Sequence, residues 1–152
     1  VLDDPTAGVG VELRQTLWQF VAQLNKQGST VLLTTHYLEE AEALCHRIAM
    51  LKLGRVVALN RTSELLKMAS GNVLRFKIDG ELPRALADVA RVTGRIVQLP
   101  AHNAAEIEHY LATVRQAGVQ VEDIEIRKAD LEDVFLEVMA AEEKGKPLQV
   151  AI

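Results

Sequence analysis

Apolar positions along this chain follow two different rhythms, and the change falls near residue 70. Leu13, Leu17, Phe20, Val21 and Leu24 recur at three- and four-residue steps, which predicts a helix with one apolar face. Gln27-Gly28 supplies its stop, with Gly in the C-cap position. Thr30-Val31-Leu32-Leu33-Thr34 is a short, continuous β-branched and apolar run; between two helices it predicts a buried parallel strand. His36 ends that run, and residues 37–45, rich in Glu, Leu and Ala, predict a second helix. Apolar stretches at 48–51 and 56–59 flank Gly54-Arg55, a hairpin signal. A helix over 64–68, capped by Thr62 or Ser63, follows.

Ser70-Gly71-Asn72 is the linker candidate. Beyond it Leu74, Phe76 and Ile78 alternate like a half-buried strand. Residues 83–86 predict a short helix, and 89–92 with 96–99 predict a hairpin around Thr93-Gly94. A helix over 104–117 places Ile107, Tyr110, Leu111 and Val114 on one face. Val119, Val121, Ile124 and Ile126 mark a last strand, bulged where the period slips between Val121 and Ile124. The order strand-helix-strand-strand-helix-strand is that of a split βαβ sandwich. A closing helix over 131–139 and a polar tail from Glu142 complete the pattern.

Composition narrows the classes. The net charge of -4 and an aromatic content of 4% argue against a nucleic-acid partner. No apolar run approaches the roughly 20 residues that cross a bilayer. One cysteine, Cys45, excludes an intramolecular disulfide and suits a reducing compartment. The chain opens inside an apolar run without an initiator Met, and reads as a piece of a longer protein.

Three features carry candidate chemistry. Leu2-Asp3-Asp4-Pro5 places two carboxylates at the carboxyl edge of a predicted parallel sheet, where α/β proteins bind ligands. One can hold Mg²⁺ through water; its neighbour can orient or deprotonate a water. Read by itself the pair also suits a plain Asp-Pro turn. Pro5-Thr6-Ala7-Gly8-Val9-Gly10 leads into a helix, but no Lys follows its glycines, so it fails as a phosphate loop. His36 ends the neighbouring strand, where it can meet a phosphate oxygen or serve structure alone. His46, His102 and His109 show no ligand spacing, and Glu39, Glu40 and Glu42 read as a solvated helix face.

Together, Val-Leu-Asp-Asp-Pro-Thr-Ala-Gly-Val and Thr-Val-Leu-Leu-Thr-Thr-His-Tyr-Leu-Glu-Glu-Ala-Glu resemble the Walker B, D-loop and switch-histidine segments of ABC-transporter ATPases. The likeness continues through Cys45-His46-Arg47-Ile48-Ala49 and Leu53-Gly54-Arg55-Val56. Residues 129–136, Ala-Asp-Leu-Glu-Asp-Val-Phe-Leu, are similar to the last helix of the extension found in ATP-binding subunits of exporters with separate membrane subunits. The resemblance implies an α/β fold: part of a P-loop NTPase (RecA-like) parallel sheet over 1–70, then a small α+β ferredoxin-like extension over 71–141, then the tail over 142–152. It implies Mg²⁺ supported by Asp3, Asp4 as catalytic base, and His36 against the γ-phosphate of ATP. It also implies a membrane-spanning partner, a second ATPase subunit, and a place on the cytoplasmic face of the cell membrane.

Two residues depart from the family. Asp4 stands where Glu is usual, and Gly10 where the D-loop normally has Asp. No Gly-x-x-x-x-Gly-Lys-[Ser/Thr] and no Leu-Ser-Gly-Gly occur, so the chain has no phosphate cradle of its own. In the family's sheet a Walker A strand runs between the segments at 30–34 and 48–51, which predicts a missing central strand here. Three readings follow: part of an ATPase subunit, a non-catalytic contact or regulatory module, or a degenerate remnant.

Overall fold

A computed structural model describes residues 1–69 and 71–143. Ser70 of the expected linker, and the expected tail from residue 144 onward, lie outside the described residues. The fold is mixed α/β and divides into two compact units. The first takes Val1–Leu65 together with 135–143, and the second is Leu66–Val134. Both boundaries fall inside helices.

The first unit begins with β1 (Leu2–Asp3), α1 (Val11–Lys26), β2 (Leu33–Thr34) and α2 (Leu38–Leu44). β1 and β2 pair in parallel, Leu2 with Leu33 and Asp3 with Thr34. The expected strand over 30–34 is thus only two residues long, and Leu32 is largely exposed. A strand extends only as far as its partner supplies hydrogen bonds, and β1 supplies Leu2 N–H to the Leu32 carbonyl and Asp4 N–H to that of Thr34. The same shortage explains α1. Of its apolar stripe Val21 is buried, whereas Leu13 and Phe20 stay more than half exposed. Sixteen residues make a helix about 24 Å long, and two-residue strands give it little to lie against.

β3 (Arg47–Lys52) and β4 (Arg55–Arg61) form an antiparallel hairpin. Its turn is Leu53-Gly54 rather than Gly54-Arg55, because Lys52 pairs with Arg55 and both turn residues have positive φ (50° and 75°). Positive φ at both positions is what a type I′ two-residue hairpin loop requires. The Lys52 ammonium donates to the Met139 carbonyl and to Glu143. α3 (Thr62–Met68) starts where the Thr62 N–H donates to the His46 carbonyl and its hydroxyl to that of Cys45.

The second unit holds β5 (Asn72–Asp79), a 3₁₀ turn at Arg84–Leu86, β6 (Arg91–Thr93), β7 (Ile96–Ala101), α4 (Ala104–Gln116) and β8 (Gln120–Lys128). Residues 83–86 were expected to form a helix; one 3₁₀ turn is what forms. The strands lie in the order β6-β7-β5-β8, every neighbour antiparallel. Leu74, Phe76, Ile78, Leu86, Val97, Leu99 and Val114 form its buried core, with Ile107, Tyr110 and Leu111 packed against it. The expected bulge is present: Arg75 pairs with Glu125 and Lys77 with Glu122, leaving Asp123-Ile124 opposite Phe76 alone. Asp123 takes positive φ there and binds Lys77 at 2.6 Å. At the start of α4, Asn103 Oδ1 accepts from the Glu106 N–H (3.0 Å) while Glu106 Oε2 accepts from the His102 N–H (2.9 Å), a reciprocal cap.

α5 (Leu131–Glu143) is anchored at its start by Asp133, whose side chain is 4% exposed. Its carboxylate accepts from Arg127 (2.8 Å), from Arg91, and from the Asp130 N–H (2.9 Å). Burial opposes its ionisation, yet the hydrogen bonds from Arg127, the Asp130 N–H and Arg91 outweigh it and hold this carboxyl far below the ordinary range. A depressed folded value means that the stabilisation is complete above the unfolded value of about 3.9 and lost as pH falls toward the folded one. Asp133→Ala should therefore lower unfolding free energy by about 3 kcal/mol at neutral pH. Acid titration monitored by circular dichroism should show wild-type stability falling below about pH 4 more steeply than that of the variant.

Candidate functional site

The parallel rungs of β1 and β2 end side by side, and the chain leaves both with polar residues. Asp3 and Thr34 are directly paired, and the Thr34 hydroxyl donates to Asp3 Oδ1. One residue on, Asp4 turns into the left-handed region at φ 41°, which Asp tolerates better than most residues. That turn brings Asp4 Oδ1 to the segment after β2. It accepts from the His36 backbone N–H at 3.2 Å and lies 2.9 Å from His36 Nδ1. A carboxylate oxygen accepts, so Nδ1 carries the hydrogen. Both side chains remain accessible, 42% exposed for Asp4 and 62% for His36.

The three residues singled out from the sequence thus stand at one sheet edge, with Asp4 and His36 in contact and Asp3 turned to Thr34. The His36 ring also lies against Tyr37, centroids 4.1 Å apart, and the Arg14 guanidinium sits 5.3 Å from the centre of the Tyr37 ring on α1's side. Gly10 is the N-cap of α1 without a side-chain cap, and a Cβ there would meet nothing within 4 Å.

One reading of the sequence is overturned. Glu40 belongs to no solvated face: it is fully buried, and its Oε1 accepts from Trp18 Nε1 at 3.1 Å. The spacing carried a signal, since Tyr37, Glu40, Ala41 and Leu44 lie at i, i+3, i+4 and i+7, one stripe of a helix. The roles of Thr34 and Trp18 carried no signal, because each bond joins segments 22 or 31 residues apart.

A carboxylate and a hydroxyl at a sheet edge are oxygen donors of the kind Mg²⁺ accepts, one or two from protein with waters and phosphates completing the shell. Asp3 and Thr34 fit that role. Among the described residues no group of three or more His, Cys, Asp or Glu side chains could hold a metal ion by itself, and no helix is long and apolar enough to cross a membrane.

No protein-family model matches the chain. Among curated proteins it is similar to a daunorubicin resistance ATP-binding protein of Streptomyces coeruleorubidus, 34% identical over 147 residues, 89% of this chain and 46% of that protein. A Nod factor export ATP-binding protein I of Paraburkholderia xenovorans is 31% identical over 147 residues, 93% of this chain and 47% of that protein. A linearmycin resistance ATP-binding protein of Bacillus subtilis is 28% identical over 148 residues, 90% of this chain and 48% of that protein. The chain spans about half the length of the curated relatives it matches.

The Asp4–His36 contact is exposed, so its energetic coupling should be small. A double-mutant cycle of Asp4→Ala and His36→Ala, read by urea unfolding, should give about 0.5 kcal/mol. A coupling well above about 1 kcal/mol would mean that the pair is more shielded from water than its exposure implies.

Proposed function

We infer that this chain, a homologue of ABC-transporter ATP-binding proteins along nine-tenths of its length, carries the Walker B, D-loop and switch-histidine part of such a subunit. In a complete subunit, it takes part in ATP hydrolysis that drives export. The observation that carries the reading is the Asp4–His36 contact at the carboxyl end of the parallel pair. In this reading Asp3, with Thr34, supports Mg²⁺ through water, and Asp4 orients and deprotonates the attacking water. His36 meets the γ-phosphate of ATP: Asp4 holds its Nδ1, which leaves Nε2 to face the phosphate. The ion, when bound, neutralises charge on the phosphates.

The first seventy residues are then part of a RecA-like core, and those from 71 to 141 a ferredoxin-like extension. The strand order β6-β7-β5-β8 supports the latter, since it places the first and third strands of the unit in the centre of the sheet. That extension is a surface for subunit contact or regulation. The partners in this reading are a membrane-spanning subunit and a second ATPase subunit, at the cytoplasmic face of the membrane.

Alone, the chain should release no phosphate from Mg-ATP above background, because it has no phosphate loop; turnover abolished by His36→Ala would overturn this. In a complete subunit, His36→Ala should abolish turnover and Asp4→Glu should raise it about tenfold, within the range of general-base placement. Unchanged turnover in Asp4→Glu would mean that Asp4 already reaches the water. Gly10→Asp is then the informative variant, since its side chain enters open space.

A further inference from the structure

We propose that Glu40 is a positioning residue for the Asp4–His36 pair, acting through its bond to Trp18. The proposal rests on the reading of Asp4 and His36 given above. It starts from a group that is costly where it stands. Glu40 is 0% exposed, one carboxyl oxygen is held by Trp18, and the other is buried with no partner among the described residues. Burying a carboxyl with half its hydrogen bonds unmade is unfavourable, and an apolar residue would fill the same stripe beside Ala41 without that cost.

What the carboxyl gains is a fixed distance between two helices. α1 follows the Asp4 loop, and α2 follows His36 with Tyr37 alone between. The strands that otherwise join these segments pair over two residues each. The Trp18–Glu40 bond spans 22 residues and ties the middle of α1 to the first turn of α2. One turn before it on each helix, Arg14 sits over the Tyr37 ring, and that ring lies against His36. The Tyr37 carbonyl accepts the Ala41 N–H at 3.2 Å, so a shift of Glu40 carries the start of α2 with it. Loss of the Trp18 bond frees α2 to move relative to α1, and with it the His36 N–H that Asp4 holds at 3.2 Å.

The test is residue-resolved amide hydrogen exchange on the whole 152-residue chain. The His36 amide is compared with the amides of β3, which lie in the same unit and outside the α1–α2 junction. Glu40→Ala and Trp18→Phe should each speed exchange at His36 relative to β3 by about fivefold, the factor carried by one hydrogen bond. The ¹⁵N resonance of His36 Nδ1 should move in both. Glu40→Gln keeps an oxygen for Trp18 and should restore exchange at His36 to near wild type. Exchange that rises equally at His36 and β3, or at neither, overturns the proposal, as does a failure of Gln to restore it. Should Glu40→Ala not fold, Trp18→Phe and Glu40→Gln decide the matter. No nucleotide is present, so the result is independent of whether His36 proves to meet a phosphate.

Discussion

Two rungs of parallel backbone pairing, Leu2 with Leu33 and Asp3 with Thr34, determine where the chemically useful groups of the first unit stand. They bring two chain segments some thirty residues apart to one edge, in register, so that the residues leaving each strand face one another. Asp3 finds Thr34 and Asp4 finds His36 because of that register. A slip of one residue would turn these side chains to the opposite face. The same brevity leaves α1 with an apolar stripe that is largely uncovered, and leaves side-chain bonds between helices to supply rigidity that a longer ladder would give.

Local chemistry and the family resemblance were readable in the sequence; cross-chain detail was not. The relatives bear out the family resemblance, which was read from about the first seventy residues and from 129–136. The period slip between Val121 and Ile124 foretold the bulge, because a bulge is an extra residue and an extra residue breaks alternation. The helix over 104–117 was legible for the same local reason, its cap and stripe both lying within it. Misreadings came where a partner decided the outcome. Residues 30–34 have the composition of a strand, but β1 pairs with only their end. Gly54 marked the hairpin, yet which residue joined it in the turn depended on the pairing of Lys52 with Arg55. Glu40 looked like one member of an acidic run, and became a buried acceptor because Trp18 stands opposite.

Asp3 and His36 came forward from the sequence by strand-end position and resemblance, but their neighbours Thr34 and Tyr37 gain meaning only in three dimensions. A lone carboxylate says little about its task until its hydrogen-bond partner is known. Here the adjacent pair separates into two environments: Asp3 against a hydroxyl, Asp4 against an imidazole and a backbone N–H. Different partners for neighbouring carboxylates are what a division of labour between them requires.

The bulge in β8 has a consequence for how the protein behaves among copies of itself. β8 is the outermost strand of its sheet, and Ile124 and Ile126 are more than half exposed along it. A flat apolar margin of that kind invites a stray strand to add on and propagate into insoluble material. The extra residue at Asp123-Ile124 interrupts the even spacing of N–H and C=O groups, and the charges of Glu122, Asp123 and Glu125 accompany it. A newcomer finds no uninterrupted row to zip against, so the bulge makes the margin that closes the sheet a poor template for strand addition.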